Sequence, residues 1–123
     1  VRWLNVAGIF TDAIDTVAAS LTALGLKPVT DPRNARPLTV FIELPSFESF
    51  GANPTSKVSD VTIVIRVLGA PPGNQDSTDY ILGVVNIILG SNIAIINGQP
   101  SIATVGSQDL PCYDLTVKLT ATL

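Results

Sequence analysis

The feature that most constrains the fold is a strict alternation of apolar and polar residues from Tyr113 to Thr122. Successive side chains of a β-strand point to opposite faces of a sheet, so this pattern predicts a strand with one apolar face. The same alternation predicts a second long strand over Lys57 to Leu68. The residues expected on the covered face of the sheet are Val61, Ile63, Ile65, Val67, Leu115, Val117 and Leu119.

Two helices are predicted to cover that face. Apolar residues recur at three- and four-residue steps from Asn5 to Leu24, which is typical of a helix with one apolar stripe. Gly25 predicts a left-handed cap at its end, while Gly8 predicts that the regular part begins only near Thr11. The second helix is predicted from about Ser77 to Leu89, with its cap and first-turn acids drawn from the preceding polar residues.

The remaining segments predict shorter strands and connections. Lys27 to Pro37 holds three prolines and predicts an extended connector, Leu38 to Leu44 alternates like a strand, and Ser46 to Thr55 is expected to be a long loop. Asn97-Gly98 is typical of a two-residue hairpin turn between short strands. The order is α-β-β-α-β-β, with one further strand optional. It predicts an α+β fold, an antiparallel or mixed sheet with two helices packed on it, in a single domain over residues 1–123.

Composition argues against catalysis. There is no histidine, which removes the commonest general base, and the one cysteine, Cys112, supplies too few ligands for a zinc site and is expected to be buried and inert. An enzyme would then have to use paired carboxylates. Two of the three candidate pairs are expected at helix starts, where acidic side chains cap the helix and offset its dipole instead of taking part in catalysis. We therefore predict no catalytic site, no metal and no cofactor. The candidate pairs are Asp12 with Asp15, Asp76 with Asp79, and Glu43 with Glu48.

Low charge points towards assembly with other chains. Charged residues make up 14% of the sequence, where about 25% is usual for a soluble domain. The net charge is -3, and the seven basic residues are scattered, so no sequence-specific nucleic-acid binding is expected. No apolar stretch approaches the roughly 20 residues needed to span a bilayer, so no membrane partner is expected either. An uncharged outer surface of this kind favours contact with partners.

Two loops carry candidate contact residues. Phe47 and Phe50 flank Glu48 in the predicted long loop, where apolar aromatic side chains either fold over the core or contact a partner. Arg33 and Arg36 lie on the proline-rich connector. They are either solvated or paired with acidic residues of a neighbouring subunit.

The second helix is the strongest indication of a partner. Between Tyr80 and Leu89 the non-apolar residues are Gly83 and Asn86, so a helix lying on a sheet would still present apolar side chains outward. We assign Val85 to the contact with a partner on that side. The alternative is that the segment from Ile93 to Val105 covers the helix within the same chain.

Several segments, in fixed order, resemble those of one known family. In the order of these segments along the chain and in their residue composition, the chain resembles the tail terminator proteins of long, non-contractile-tailed bacteriophages over nearly its whole length. That family acts through surfaces, so no site residue is carried over from it. The segments are Leu24-Gly25-Leu26, the connector Thr30 to Pro37 entering Leu38 to Ile42, the long second strand, Asp79 to Leu82, and Pro111 to Val117.

The resemblance implies a virion protein that is made in the cytoplasm of the host bacterium. It implies a ring of identical subunits, usually six, at the head-proximal end of the tail tube. There the ring would end tube growth and join the tail to the neck. The implied partners are further copies of the chain, the tail-tube protein and a neck or head-completion protein, with DNA passing through the ring.

Other classes stay open at this level. Related neck and tail-tube subunits share the α+β layout. A small-molecule-binding α+β domain would have a closed apolar pocket between its sheet and its helices. An enzyme would need two acids converging in a cleft.

Overall fold

The computed structural model describes residues 2–48, 58–70 and 75–122, and all their side chains except those of 2–9, 32, 47, 48, 58–60, 75 and 120–122. Residues 32–34 form a short 3₁₀ turn. The helices and strands, in chain order, are α1 (Arg2–Ala23), β1 (Pro28–Val29), β2 (Val40–Ile42), β3 (Ser46–Glu48), β4 (Val58–Leu68), α2 (Gln75–Leu89), β5 (Ile95–Val105) and β6 (Gln108–Thr122).

The strands form one mixed sheet. Its order is β1-β2-β4-β6-β5, with β3 beside β4. The short strand β1 runs parallel to β2, and the other pairings are antiparallel. The predicted α+β class is confirmed, and the predicted order of elements fits apart from the added strands β1 and β3.

The core lies on one face of the long β4–β6 ladder, which runs in register from Val58 opposite Thr122 to Leu68 opposite Cys112. The strand residues predicted to face the helices lie in or against one buried cluster, as alternation requires. Leu119 is only partly buried at its margin. The predicted register of both long strands is therefore confirmed.

Helix α1 ends as the sequence predicts. The amide of Leu26 donates to the carbonyl of Leu21 at 3.1 Å, and the amide of Gly25 donates to Thr22 at 3.0 Å. Gly25 has a φ of +84°, so this is a Schellman cap with glycine in the left-handed position. The expected late start near Thr11 is wrong, because the helix already begins at Arg2. A single glycine weakens a helix without ending it.

Helix α2 begins at Gln75, two residues earlier than predicted. Ser77 therefore lies inside its first turn rather than capping it, and its buried hydroxyl accepts a hydrogen bond of 2.9 Å from the amide of Ala70. The two helices share the cluster with the strands, and α1 does so through residues between Ala13 and Leu21, its side chains 2–9 lying outside the described ones. The prediction that both helices pack on the sheet is met only in part. The helical members of the cluster are Ala13, Val17, Leu21, Ile81, Val84, Val85 and Ile88.

The predicted strand from Leu38 to Leu44 is shorter than expected, and the predicted loop after it contains a strand. Ile42 pairs with Ile65, and Ser46 pairs with Thr62. Between these two pairs, the three residues 43–45 lie opposite only the two residues 63–64 of β4. This is the geometry of a bulge. Leu44 lies in the interruption and is 87% exposed, rather than sharing the buried face of Val40 and Ile42.

The expected turn at Asn97-Gly98 is also wrong. Both residues lie inside β5, next to a register shift between Ile95 and Asn97. The hairpin instead turns after Val105, which pairs with Gln108, and Gly106 has a φ of +63°. Glycine at the first of two turn residues is the pattern of a type II′ hairpin. Gly98 marks a close approach of side chains within the sheet instead.

Candidate functional site

The outer side of α2 has exposed apolar side chains along its margins. Leu82 and Leu89 lie on one margin and Ile87 on the other, with Gly83 and Asn86 between them. Leu82, Ile87 and Leu89 are each about half exposed, whereas Val85 is 7% exposed and belongs to the core. The assignment of Val85 to a partner contact is therefore corrected. The error has a simple cause: a helix that is apolar nearly all round gives no signal of which side faces the sheet.

A groove runs between the end of α2 and the start of β5. We call it the α2–β5 groove, and its volume is about 250 Å³. Gly98 keeps part of it open, because a Cβ placed there would lie 2.8 Å from Leu115 Cδ2 and 2.9 Å from Tyr113 Cε1. The segment after α2 thus packs beside the helix without covering its outer side. The groove is lined by Val85, Leu89, Ile95, Ile96, Asn97, Gly98, Tyr113 and Leu115.

The two arginines of the connector lie on the surface. The Arg33 guanidinium reaches Asp31, with Nη2 2.8 Å from Oδ2, and the Arg33 amide donates to the same carboxylate. These hydrogen bonds lower the pKa of Asp31 and raise that of Arg33. Arg36 is exposed and donates from Nε to the Asn34 carbonyl at 3.3 Å. Arg33 thus already has an intrachain partner, and whether either arginine contacts another subunit stays a prediction.

The predicted aromatic contact residues are placed only in part. The backbones of Phe47 and Glu48 lie in β3, where Phe47 is opposite Val61 and Glu48 opposite Asp60. The side chains of Phe47 and Glu48 and the whole of Phe50 lie outside the described residues. Their part in a contact therefore stays a prediction.

A cluster of charges on the sheet face away from the helices was not predicted. Arg66 Nε lies 2.9 Å from Glu43 Oε1 and 3.2 Å from Asp114 Oδ1, which joins β4, β6 and the residue after β2. The Nε–H does not point directly at either oxygen, whereas Arg66 Nη2 donates a long hydrogen bond of 3.4 Å to Asp114 Oδ2. Only the antiparallel register brings these three residues together. They fit a structural role in holding neighbouring strands.

Cys112 lies beside this cluster and is 3% exposed. Burial, followed by the negative charge of Asp114, raises the pKa of the thiol to about 11. Its Sγ lies 3.6 Å from Asp114 Oδ1. The thiol is thus protonated at neutral pH, and the prediction that Cys112 is buried is confirmed.

The same face carries a shallow groove of about 260 Å³ between the connector and the β5–β6 hairpin. It lies on the side of the sheet opposite the helices, not between the helices and the sheet as the ligand-binding hypothesis expects. The ion pair of Glu43 and Arg66 is part of its lining. The other lining residues are Ala35, Phe41, Leu68, Ala103, Thr104, Val105 and Gly106.

The carboxylate pairs considered for catalysis are distributed differently from the prediction. Asp12 and Asp15 lie in the middle of α1, so their expected place at a helix start is wrong, whereas Asp76 does lie in the first turn of α2. Within residues 2–48, 58–70 and 75–122, no three histidine, cysteine, aspartate or glutamate side chains form a group that could hold a metal ion. In that same part of the chain, no helix is long and apolar enough to cross a membrane.

No protein-family model matches the sequence, and neither does any curated protein.

Proposed function

We propose that the chain is a structural virion subunit that forms a ring at the head-proximal end of a bacteriophage tail tube. In this position it would end tube growth and join the tail to the neck. The observation that carries the proposal is the pair of half-exposed leucines Leu82 and Leu89, which lie one heptad apart on the same margin of α2. The sequence resemblance to tail terminator proteins supports the particular position in the virion.

The physical argument concerns the cost of exposing apolar area. Covering a large apolar side chain is worth roughly 1.5 to 3 kcal/mol when it passes from full exposure to full burial. Leu82 and Leu89 are half exposed on one side of the helix, and Leu89 lines the α2–β5 groove together with the half-exposed Ile96, so their exposure favours association. With charged residues at only 14%, few charges would have to be desolvated on assembly. A structural subunit meets these conditions better than a catalyst does.

The proposal is tested by the state of assembly of the purified chain and by its action on tail tubes. Sedimentation velocity and negative-stain electron microscopy should show closed rings, and rings added to purified tail tubes should be seen at one end. Leu82→Asp should abolish ring formation at concentrations where the native chain assembles. Ala19→Asp places the same charge on the exposed side of α1 and should leave the rings intact.

Three outcomes would contradict the proposal or indicate a different position of the chain in the virion. A chain that stays monomeric up to high concentration and does not bind tube ends would overturn the ring. A chain that polymerises by itself into long tubes would indicate a tail-tube subunit. Rings that bind the neck but not the tube would indicate a neck subunit.

A further inference from the structure

Strand β6 extends beyond its outer neighbour. β5 pairs with β6 only as far as Ile95 opposite Val117, so no strand in the described part of the chain lies beside residues 119–122 on that side. On the other side the same residues pair with β4, up to Val58 opposite Thr122. This end of β6 therefore has one paired edge and one edge that no described strand covers.

The backbone groups on that edge have a definite direction. Val105 and Gln108 flank a two-residue turn, so the amide and carbonyl of Gln108 point towards β5, and those of every second residue after it do the same. β6 pairs in unbroken register with β5 over 108–116 and with β4 over 112–122, so this alternation continues to its end. The amides and carbonyls of Thr120 and Thr122 therefore point outward from the sheet. A strand edge of this kind is a template for a further strand.

A groove lies beside the same end of β6, on the face of the sheet that the helices cover. We call it the α1–β6 groove, and its volume is about 260 Å³. Most of its lining residues are apolar, the others are uncharged, and Leu119 is only partly buried there. A residue paired opposite Leu119 would direct its side chain to this face. The groove is lined by Thr16, Val17, Ser20, Asn92, Ile93, Ala94, Val117 and Leu119.

We infer that this end of β6 binds an extended segment of a partner polypeptide, which adds to the sheet as a strand and places an apolar side chain in the α1–β6 groove. The segment runs antiparallel to β6, as β5 does, because antiparallel pairing is slightly more stable per residue than parallel pairing. The uncovered edge is short, so about four residues of the segment pair with it.

The chemistry of the edge and of the groove together identifies this occupant. The outward amides and carbonyls of Thr120 and Thr122 complement another backbone in the extended form. A helix cannot supply that backbone, since its own amides and carbonyls are paired within it. A small apolar molecule could enter the groove but would leave the strand edge without a partner. Only an extended segment with apolar residues at alternate positions matches both features.

The first test uses a synthetic peptide, KTLTVTLTK with blocked ends, as the probe and follows the monomeric chain by NMR. Binding should slow hydrogen exchange at the amides of Thr120 and Thr122 and leave that of Ala121, which points towards β4, unchanged. In the paired peptide the apolar side chains face the groove and the threonine amides face β6. A copy that is N-methylated at its threonines should therefore bind at least tenfold more weakly, whereas a copy N-methylated at its leucines and valine should bind like the original.

The second test changes the protein. Thr120→Pro removes one outward amide and no bond of the β4 ladder, in the way that Pro100 is accommodated in β5, and should weaken peptide binding about three- to tenfold. Thr16→Trp fills the groove from an exposed position on α1 and should weaken binding at least tenfold. Thr11→Trp, exposed on the same helix but outside the groove, is the matched control and should bind the peptide as the native chain does. Circular dichroism should show the native fold in all three variants.

The outcomes separate this inference from the proposed ring. If the peptide does not bind at millimolar concentration, or if the two methylated copies bind equally well, no strand is added at this edge and the inference is wrong. It is also wrong if the amides of Thr120 and Thr122 are already protected in the monomer without peptide, because another part of the chain then closes the edge. None of these results bears on ring formation through α2, which sedimentation measures without the peptide.

Discussion

The hydroxyl of Tyr80 donates a hydrogen bond of 2.9 Å to the backbone carbonyl of Leu38. Tyr80 lies on α2, whereas Leu38 lies in the turn that leads into β2. Leu38 has a φ of +61°, in the left-handed region that costs a non-glycine residue roughly 1 to 2 kcal/mol. The helix thus holds the strained turn before β2 in place.

Replacing Tyr80 by phenylalanine should lower the free energy of unfolding by about 1 kcal/mol, since it removes one hydrogen bond and little apolar area. Urea unfolding of the monomer followed by circular dichroism measures the change. Tyr113→Phe is the matched control, because Tyr113 is also partly buried but its hydroxyl has no hydrogen bond within the described part of the chain. Equal losses in the two variants would mean that the Tyr80 bond contributes nothing specific.

Arg66 should contribute more to stability than a surface arginine does. Arg66→Met leaves Glu43 and Asp114 without the cation between them, and we expect a loss of about 1 to 2 kcal/mol at low salt. The three side chains are partly exposed, so added salt should reduce the effect. Thermal unfolding at two salt concentrations gives both quantities.

Arg33→Met provides the comparison for Arg66. Its pair with Asp31 has similarly short distances but is largely exposed, so removing it should leave the stability nearly unchanged. If the two substitutions lower the stability equally, the position of Arg66 within the sheet does not strengthen its ion pairs.

Prediction of structure from the sequence is most accurate where the apolar residues follow a single period. In β4 and β6, alternation assigns each residue to a face, and the cap at Gly25 follows from a glycine directly after an apolar stripe. Such patterns arise from local geometry alone. The same local reasoning fails for α2, whose apolar residues surround the helix and give no phase, and so Val85 was placed on the wrong side.

Other features depend on register, which a single sequence does not determine. Arg66, Glu43 and Asp114 meet only because three strands align in one way. Asn97-Gly98 has the composition of a turn, but pairing continues through it to Val105. Tertiary pairing outweighs a local turn preference when it extends a long antiparallel ladder. Which side chains these pairings bring together or leave exposed could therefore not be predicted residue by residue.

The thiol of Cys112 should react slowly in the folded protein. With a pKa of about 11 against an ordinary 9.0, its thiolate fraction at pH 8 is about a hundredfold lower than that of an unperturbed thiol. A chromogenic disulfide reagent should therefore modify the native chain at least a hundredfold more slowly than the chain in urea. Equal rates would contradict the burial of this side chain.

The same shift predicts a dependence of stability on pH. Because the folded pKa of Cys112 lies above the unfolded value, the folded state binds the proton more tightly. Its contribution is fully present below about pH 9 and is lost as the pH rises towards 11. Comparison with Cys112→Ala isolates this contribution from other groups that titrate at high pH. The native chain should lose more stability than the alanine variant between pH 8.5 and 10.5.

Gly83 offers a stabilising substitution on the outer side of α2. A Cβ there would meet nothing within 4 Å, and glycine inside a helix costs roughly 0.5 to 1 kcal/mol relative to alanine. Gly83→Ala should therefore raise the free energy of unfolding of the monomer by about that amount. Gly25→Ala is the opposite control: space is also free at Gly25, but its φ of +84° would strain alanine, so this variant should lose about 1 kcal/mol. Urea unfolding at a concentration that keeps the chain monomeric measures both. A destabilising Gly83→Ala would mean that the position needs backbone freedom, which a regular helix with an exposed outer side does not require.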